Sequence, residues 1–307
     1  MTVRVPAKIN LQLAIGPRRA DGYHDLVTVF HAVSLFDDVT VAAAASSDGD
    51  RVTVTGEGQA DVPRDGDNLA LRAVAALRAA LPGGASSAPG AGGAVHVTIA
   101  KRIPVAAGLA GGSADAAAAL VGCNELWGTG LTQPQLCALA AQVGSDVSFA
   151  VLGGTAVGRG RGEELSPALV PAAQYHWVLA FADGHLSTPA VYASLDRLRG
   201  DVAVASPDLD AALMGALRAG DPVRVGKALS NDLQPAAVSL FPALRKTLAA
   251  GREFGALGAL VSGSGPTCLF LARNAERALD LAVALSGAGV CRSVLTATGP
   301  VGGAAIR

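Results

Sequence analysis

What this 307-residue chain lacks narrows it before any motif does. Its four cysteines, Cys123, Cys137, Cys268 and Cys291, lie far apart, with no C-x-x-C spacing. That excludes a zinc ribbon and a dithiol redox motif, and predicts free thiols in a reducing compartment. The five histidines form no pair at helical spacing, so no protein-bound transition metal is expected. A net charge of −1 lacks the basic excess of a general nucleic-acid binder, and no nucleic-acid partner is expected. No apolar run reaches the length of a membrane span, and no signal-peptide core follows Met1. A cytoplasmic protein with no membrane partner is the expectation. No repeat of 20–50 residues stands out. Aromatics make up only 4% of residues while apolar residues make up half, so packing must rely on Ala, Val and Leu.

What is present alternates. Val3, Val5, Ala7, Ile9, Leu11, Leu13 and Ile15 predict one face of a strand, with Arg4, Lys8, Asn10 and Gln12 on the other. Strands are expected at 26–36, 38–43, near Val52–Val54 and over Val95–Ile99, and a helix over Asn68–Leu81. Residues 46–50 and the low-complexity segment 83–94 read as loops. Helices follow from Ser113 (as N-cap) to about Trp127, from Thr132 to about Val143, and over 147–152. Beyond Gly153–Gly154 the pattern predicts strands near 155–158 and 176–182. Helices are predicted at 188–199, at 207–219 with Ser206 as cap, and from Asp221–Pro222. Strands near 257–262 and 267–272 flank a second glycine turn. A helix near 274–286 and a strand near 290–296 end the chain.

The densest signal is Gly108-Leu109-Ala110-Gly111-Gly112, between a strand and an alanine-rich helix. A glycine turn that opens a helix exposes backbone N–H groups and a positive helix end to an anion. It is not a Walker A loop, since no lysine follows, and not a dinucleotide fingerprint, since G-x-G-x-x-G is absent. Either an anion site or a bare strand-to-helix turn satisfies the pattern. Lys101 and Arg102 just upstream favour the anion.

Pro104-Val105-Ala106-Ala107-Gly108-Leu109-Ala110-Gly111-Gly112-Ser113 resembles the phosphate loop of the GHMP small-molecule kinases, with Ala110 in place of one glycine. Pro6-Ala7-Lys8-Ile9-Asn10-Leu11 resembles the N-terminal motif of that family, and Ser262-Gly263-Ser264-Gly265-Pro266-Thr267 its C-terminal glycine motif. Three motifs in order span most of the chain. The resemblance implies an α+β, two-domain fold. Its N-terminal ATP-binding domain is ribosomal-protein-S5-like (1–157) and its C-terminal domain is a ferredoxin-like α/β sandwich (158–307). The active site lies in the cleft between them, in a monomer or weak homodimer. Arg19-Ala20-Asp21-Gly22-Tyr23-His24 and Gly144-Ser145-Asp146-Val147 are similar to the branch acting on 4-diphosphocytidyl-2-C-methyl-D-erythritol in non-mevalonate isoprenoid synthesis. That branch phosphorylates the 2-hydroxyl from ATP. Ser148 stands where the family commonly has proline, and Asp115 where some members have asparagine. Homoserine-type and mevalonate-type kinases, and a non-catalytic nucleotide-binding regulator, are the alternatives.

The resemblance implies roles residue by residue. Asp146 is the general base; by pattern alone Ser145 or Asp146 would cap the short helix. Lys8 is its catalytic partner, with Asn10 beside it at the acceptor; a solvated strand face is the other reading of Lys8. Residues Pro104 to Ala114 with Lys101 bind ATP, and Asn68 either contacts adenine or caps its helix. Tyr23 and His24 stack on and hydrogen-bond the cytosine, or decorate a turn. Thr188 lines the substrate pocket or caps a helix. Ser262, Gly263, Ser264 and Gly265 close on the phosphates or acceptor, or form a hairpin turn. Mg²⁺ is expected as the phosphates' counter-ion. Ser113 and Asp115 are its nearest candidate ligands, without a direct protein–metal bond being required.

Overall fold

A computed structural model describes residues 1–45, 49–81, 92–171 and 173–307. Most of the 83–94 loop, and Ser46–Asp48 of the other, lie outside the described residues. Elements are numbered in chain order. Two long strands, β1 (Thr2–Arg18) and β2 (His24–Ala43), form the spine of an eight-stranded sheet. β4 (Val95–Lys101) pairs with the far half of β2, and β3 (Arg51–Gly56) runs parallel to β4 at the edge. β5 (Thr155–Arg159) pairs with the near half of β2 and carries β6 (Glu164–Pro167). Four helices accompany this sheet: α1 (Leu69–Ala80), α2 (Gly111–Leu126), α3 (Gln133–Val143) and α4 (Ser145–Leu152). Alanine explains α2's position. Ala114 and Ala116–Ala119 are all buried, so the helix lies close on β1 and β2 with little side-chain bulk between.

The second sheet has the order β11-β7-β10-β9, all antiparallel: β7 (Tyr175–Phe181), β9 (Gly258–Val261), β10 (Cys268–Ala272) and β11 (Ser293–Gly299). Around it lie α5 (Thr188–Arg199), α6 (Ala211–Ala219), α7 (Pro222–Ala228), α8 (Gln234–Leu240), α9 (Ala243–Glu253) and α10 (Ala275–Gly287). Two short strands, β8 (Ser230–Asn231) and β12 (Ala305–Ile306), return to the first sheet and pair with β1. β12 is only two residues long, too short for any periodicity to signal.

Several local expectations change. Residues 26–36 and 38–43 form one strand, because β2 continues through an irregularity opposite Pro6 and Ala7. The helix expected over 207–219 starts at Ala211, because Asp210 rather than Ser206 accepts the first N–H groups. α8, α9, β6, β8 and β12 were not foreseen. The largest revision is in β1. Asn10 faces Phe30 but Gln12 faces Val29, so Leu11 is an extra residue and the alternation inverts there. Gln12 therefore leaves the face of Lys8 and Asn10 and binds the Asp208 carbonyl and the Asp210 N–H. Leu13 takes its place on that face, and Leu13 and Ile15 pack with the second sheet's core instead of the first.

Candidate active site

The glycine loop lies between the two sheets and is gripped from both. The Lys8 N–H donates to the Leu109 carbonyl (3.2 Å), and Ser262 Oγ donates to the Gly108 carbonyl (3.0 Å). Gly108 has φ +78°, and a Cβ there would stand 2.2 Å from the Ser262 carbonyl oxygen, so no other residue fits. The helix cap differs from expectation. Ser113 is not the N-cap of α2. Ala110 is, in the left-handed region at φ +57°, and no side chain caps the helix. The first-turn N–H groups of Gly111, Gly112 and Ser113 have no intrahelical acceptor and face a cavity of about 590 Å³. The helix end is therefore open to an anion.

Across that cavity stands the pair the motifs single out. Lys8 Nζ is 3.7 Å from Asp146 Oδ2 and donates to Asn10 Oδ1 at 2.8 Å. Asn10 Nδ2 donates in turn to Thr28 Oγ1 (2.8 Å). Asp146 sits in the first turn of α4, whose N-cap is Gly144, so neither Ser145 nor Asp146 is a cap. Ser148, in the usual proline position, donates from Oγ to the Cys137 carbonyl (2.8 Å), tying α4 to α3 by a bond proline cannot make. Gly263 lies against Lys8 and Asn10, and Ser264 bonds Thr188 Oγ1 (2.8 Å). The 262–267 segment is thus both a hairpin turn between β9 and β10 and a wall of the cavity. Thr188 is the first residue of α5 and lines the cavity; Ser187 holds the cap position.

Ser262 is fully buried and acts through Gly108, while Leu109 and Ala114 belong to the core. Gly265 packs against Val261 and Leu186. His24 is buried, its Nε2 2.8 Å from Asp196 and its ring 5.3 Å from that of Tyr192, which lines the cavity. Burial, with the charge of Asp146, pushes the Tyr192 phenol up to about 12, so it stays neutral. Tyr23 is exposed, with the Arg161 guanidinium 5.2 Å from its ring centre. Tyr192, Arg161 and Thr28 were not singled out from sequence; none lies in a motif.

A second cavity of about 250 Å³ shares Ala106, Gly112 and Leu69 with the first and is bounded by Asn68, Lys101, Val105 and Asp115. Here the structure refines two expectations. Asn68 caps α1, accepting from Ala70 N and donating to the Pro63 carbonyl (2.7 Å). Lys101 Nζ is held by Asp37 (2.6 Å) and Asp115 (2.8 Å) beneath the loop, so its ammonium is already paired where it borders the second cavity. Burial opposes its charge, but Asp115 and Asp37 together hold its ammonium above the ordinary value. Asp37 also accepts from the N–H groups of Arg102 and Ile103, fixing the exit of β4. Asp115 gives one carboxyl oxygen to Lys101, and burial pushes its carboxyl up to about 8. Among the described residues no group of three or more His, Cys, Asp or Glu could cage a metal, and no helix is long and apolar enough to cross a membrane.

Residues 68–154 match the GHMP kinases N terminal domain and residues 213–291 the GHMP kinases C terminal domain. The chain belongs to the GHMP kinases. It is 54% identical to a 4-diphosphocytidyl-2-C-methyl-D-erythritol kinase of Thermobifida fusca, covering 100% of this chain and 98% of the relative. It is 56% identical to one of Nocardia farcinica, covering 99% and 95%. A crystal structure of 4-(cytidine 5'-diphospho)-2C-methyl-D-erythritol kinase superposes with a TM-score of 0.77 at 33% identity, covering 98% of this chain and 100% of that one. The two-domain GHMP kinase architecture expected from the motifs is the one observed.

Proposed function

We propose that this chain transfers the γ-phosphoryl group of ATP to the 2-hydroxyl of 4-diphosphocytidyl-2-C-methyl-D-erythritol, giving the 2-phosphate and ADP. The observation that carries the reading is one cavity with an uncapped helix N-terminus on one side and the Lys8–Asp146 pair on the other. Phosphoryl transfer asks for little more than charge stabilisation and a positioned acceptor. The N–H groups of Gly111 to Ser113 hold the phosphate oxygens. Asp146 Oδ2 takes the proton of the attacking hydroxyl, and Lys8 Nζ meets the charge that builds on the phosphoryl oxygens. Mg²⁺, if bound with ATP, would supply positive charge to the phosphates. Among the described residues no carboxylate cluster cages a metal, and the Ser113 hydroxyl beside the loop would suit an ion that keeps most of its waters and phosphate ligands.

The nucleoside of ATP occupies the second cavity, past Ala106 and Gly112, with Asn68 at its wall. The cytidyl end lies toward Tyr23, His24 and Tyr192, where rings and a fixed imidazole suit a flat base. We assign residues 1–157 to the ATP-binding half and 158–307 to the half that closes over the acceptor. Four unpaired cysteines fit a cytoplasmic enzyme.

ADP release with ATP, Mg²⁺ and a panel of acceptors tests the reading. Turnover is expected with the diphosphocytidyl substrate and not with homoserine or mevalonate; the opposite pattern overturns the substrate. Asp146→Asn is expected to lower kcat by at least ~10²-fold. A near-normal kcat in that variant removes Asp146 as the base.

A further inference from the structure

The hydrogen bonds under the site run in one direction. Lys8 Nζ donates to Asn10 Oδ1 (2.8 Å), Asn10 Nδ2 to Thr28 Oγ1 (2.8 Å), and Thr28 Oγ1 to the Gln12 carbonyl (2.7 Å). Both ends are chemically fixed. An ammonium can only donate and a peptide carbonyl can only accept. The single hydroxyl proton of Thr28 goes to Gln12, so its lone pairs face Asn10. The Asn10 amide must then turn its NH₂ to Thr28 and its oxygen to Lys8. Turned the other way, its NH₂ would oppose the ammonium.

Two further observations give this order a purpose. At 3.7 Å the contact of Lys8 with Asp146 exceeds hydrogen-bond length, so Asn10, not Asp146, holds the ammonium in place. Thr28 is fully buried, pairs with Leu13 just past the extra residue Leu11, and lies in the cavity wall with Lys8 and Asn10. The same inversion that removes Gln12's side chain from the site leaves its carbonyl within reach of Thr28.

We propose that Thr28 is a positioning residue for phosphoryl transfer, acting through the Asn10 amide on Lys8. The proposal rests on the reaction assigned above. The Thr28 side chain is fully buried and its hydroxyl is committed to Asn10 and Gln12; it selects the amide orientation that places the Lys8 charge beside Asp146.

Thr28→Val keeps the shape and removes the hydroxyl; Thr28→Ser keeps the hydroxyl and removes the methyl. With Thr28→Val, steady-state ADP release is expected to show kcat lowered about 10- to 100-fold, the scale of one buried polar group losing its partner. KM for both substrates should stay within about threefold, since a misplaced Lys8 affects the charge that develops in transfer rather than ground-state binding. Thr28→Ser should restore kcat to within about threefold. A wild-type kcat in folded Thr28→Val overturns the proposal. So does equal loss in both variants, which would make the methyl packing the cause, or a change in KM alone. If Thr28→Val does not fold, Thr28→Cys, close in volume and weak as donor and acceptor, takes its place with the same expected loss. If the wild-type chain phosphorylates a different acceptor, the assigned substrate fails, and the Thr28 series is read on the acceptor that is turned over.

Discussion

Lys8 and Lys101 sit on strands of the same sheet, each beside carboxylates, and the structure uses them in opposite ways. Lys101 is 1% exposed in its side chain, with two carboxylates at 2.6 and 2.8 Å. Lys8 is 10% exposed, has one carboxylate at 3.7 Å, and opens on the main cavity. A cation held this closely by two buried carboxyl groups has little charge to offer a ligand. Its work is to hold β4, β2 and the start of α2 together under the loop. The other cation is fixed by a neutral amide and is only loosely paired, so its charge remains available to an incoming phosphoryl group. Partner number and distance, not the presence of a lysine, separate a locked structural cation from one open to a ligand.

The largest expected effect breaks the two apart. Lys101→Met leaves Asp37 and Asp115 buried without a cation, and a loss of about 3–5 kcal/mol in urea unfolding is expected. Lys8→Met removes one charge-assisted bond to Asn10, so the loss should be nearer ~1–3 kcal/mol, while kcat falls at least ~10²-fold. A stable but inactive Lys101→Met variant would show that Lys101 serves the nucleotide after all, and the contrast would collapse.

A smaller effect sharpens the scaffold side. Two carboxylates share one cation, and Asp115 Oδ1 is buried without a hydrogen-bond partner. Burial holds its carboxyl at about 8 instead of the ordinary 3.8. The sign follows from proton counting. Between those values the unfolded chain has already lost the proton that the folded chain keeps, so stability falls as pH rises. This contribution is complete below about pH 4 and gone above about pH 8. Unfolding free energy measured from pH 5 to 9 should fall through this window in the wild type. Asp115→Asn, which cannot ionise, should flatten that part of the profile. An identical slope in both proteins removes the proton from Asp115.

The same contrast marks how far sequence reasoning reaches. Glycine motifs are legible because the backbone itself demands them: Gly108 has no room for a Cβ, and the open turn of α2 follows from the local chain. Asp146 was legible only through the motif around it. Lys101 reads as a phosphate contact because it stands just upstream of the glycine loop. Its true partner Asp37 lies 64 residues away, brought near by the pairing of β2 with β4. Period-two alternation puts Gln12 on the face of Lys8 and Asn10, and a single extra residue at Leu11 moves it off. Long-range pairing and a bulge are decided by the whole sheet, so neither leaves a signature in a short window.

The smallest effect concerns the residue that joins the two lysines. Leu109 accepts from the Lys8 N–H, a Cβ on Gly111 would meet Lys101 Nζ at 2.9 Å, and Ala110 lies between them at φ +57°. An L-residue in the left-handed region costs about 1–2 kcal/mol, which glycine avoids. Glycine also frees the unfolded chain, which takes back about 0.4–1 kcal/mol. Ala110→Gly is therefore expected to stabilise by roughly 0–1.6 kcal/mol, read as a small rise in the urea midpoint. The turn is held by the Lys8 N–H on the Leu109 carbonyl and by Ser262 Oγ on the Gly108 carbonyl, so Ala110→Gly should leave kcat and KM for ATP near wild type. A destabilised variant would mean that the Ala110 methyl makes packing contacts that outweigh its strain. The loop between the two lysines would then be held by side-chain burial as well as by its hydrogen bonds.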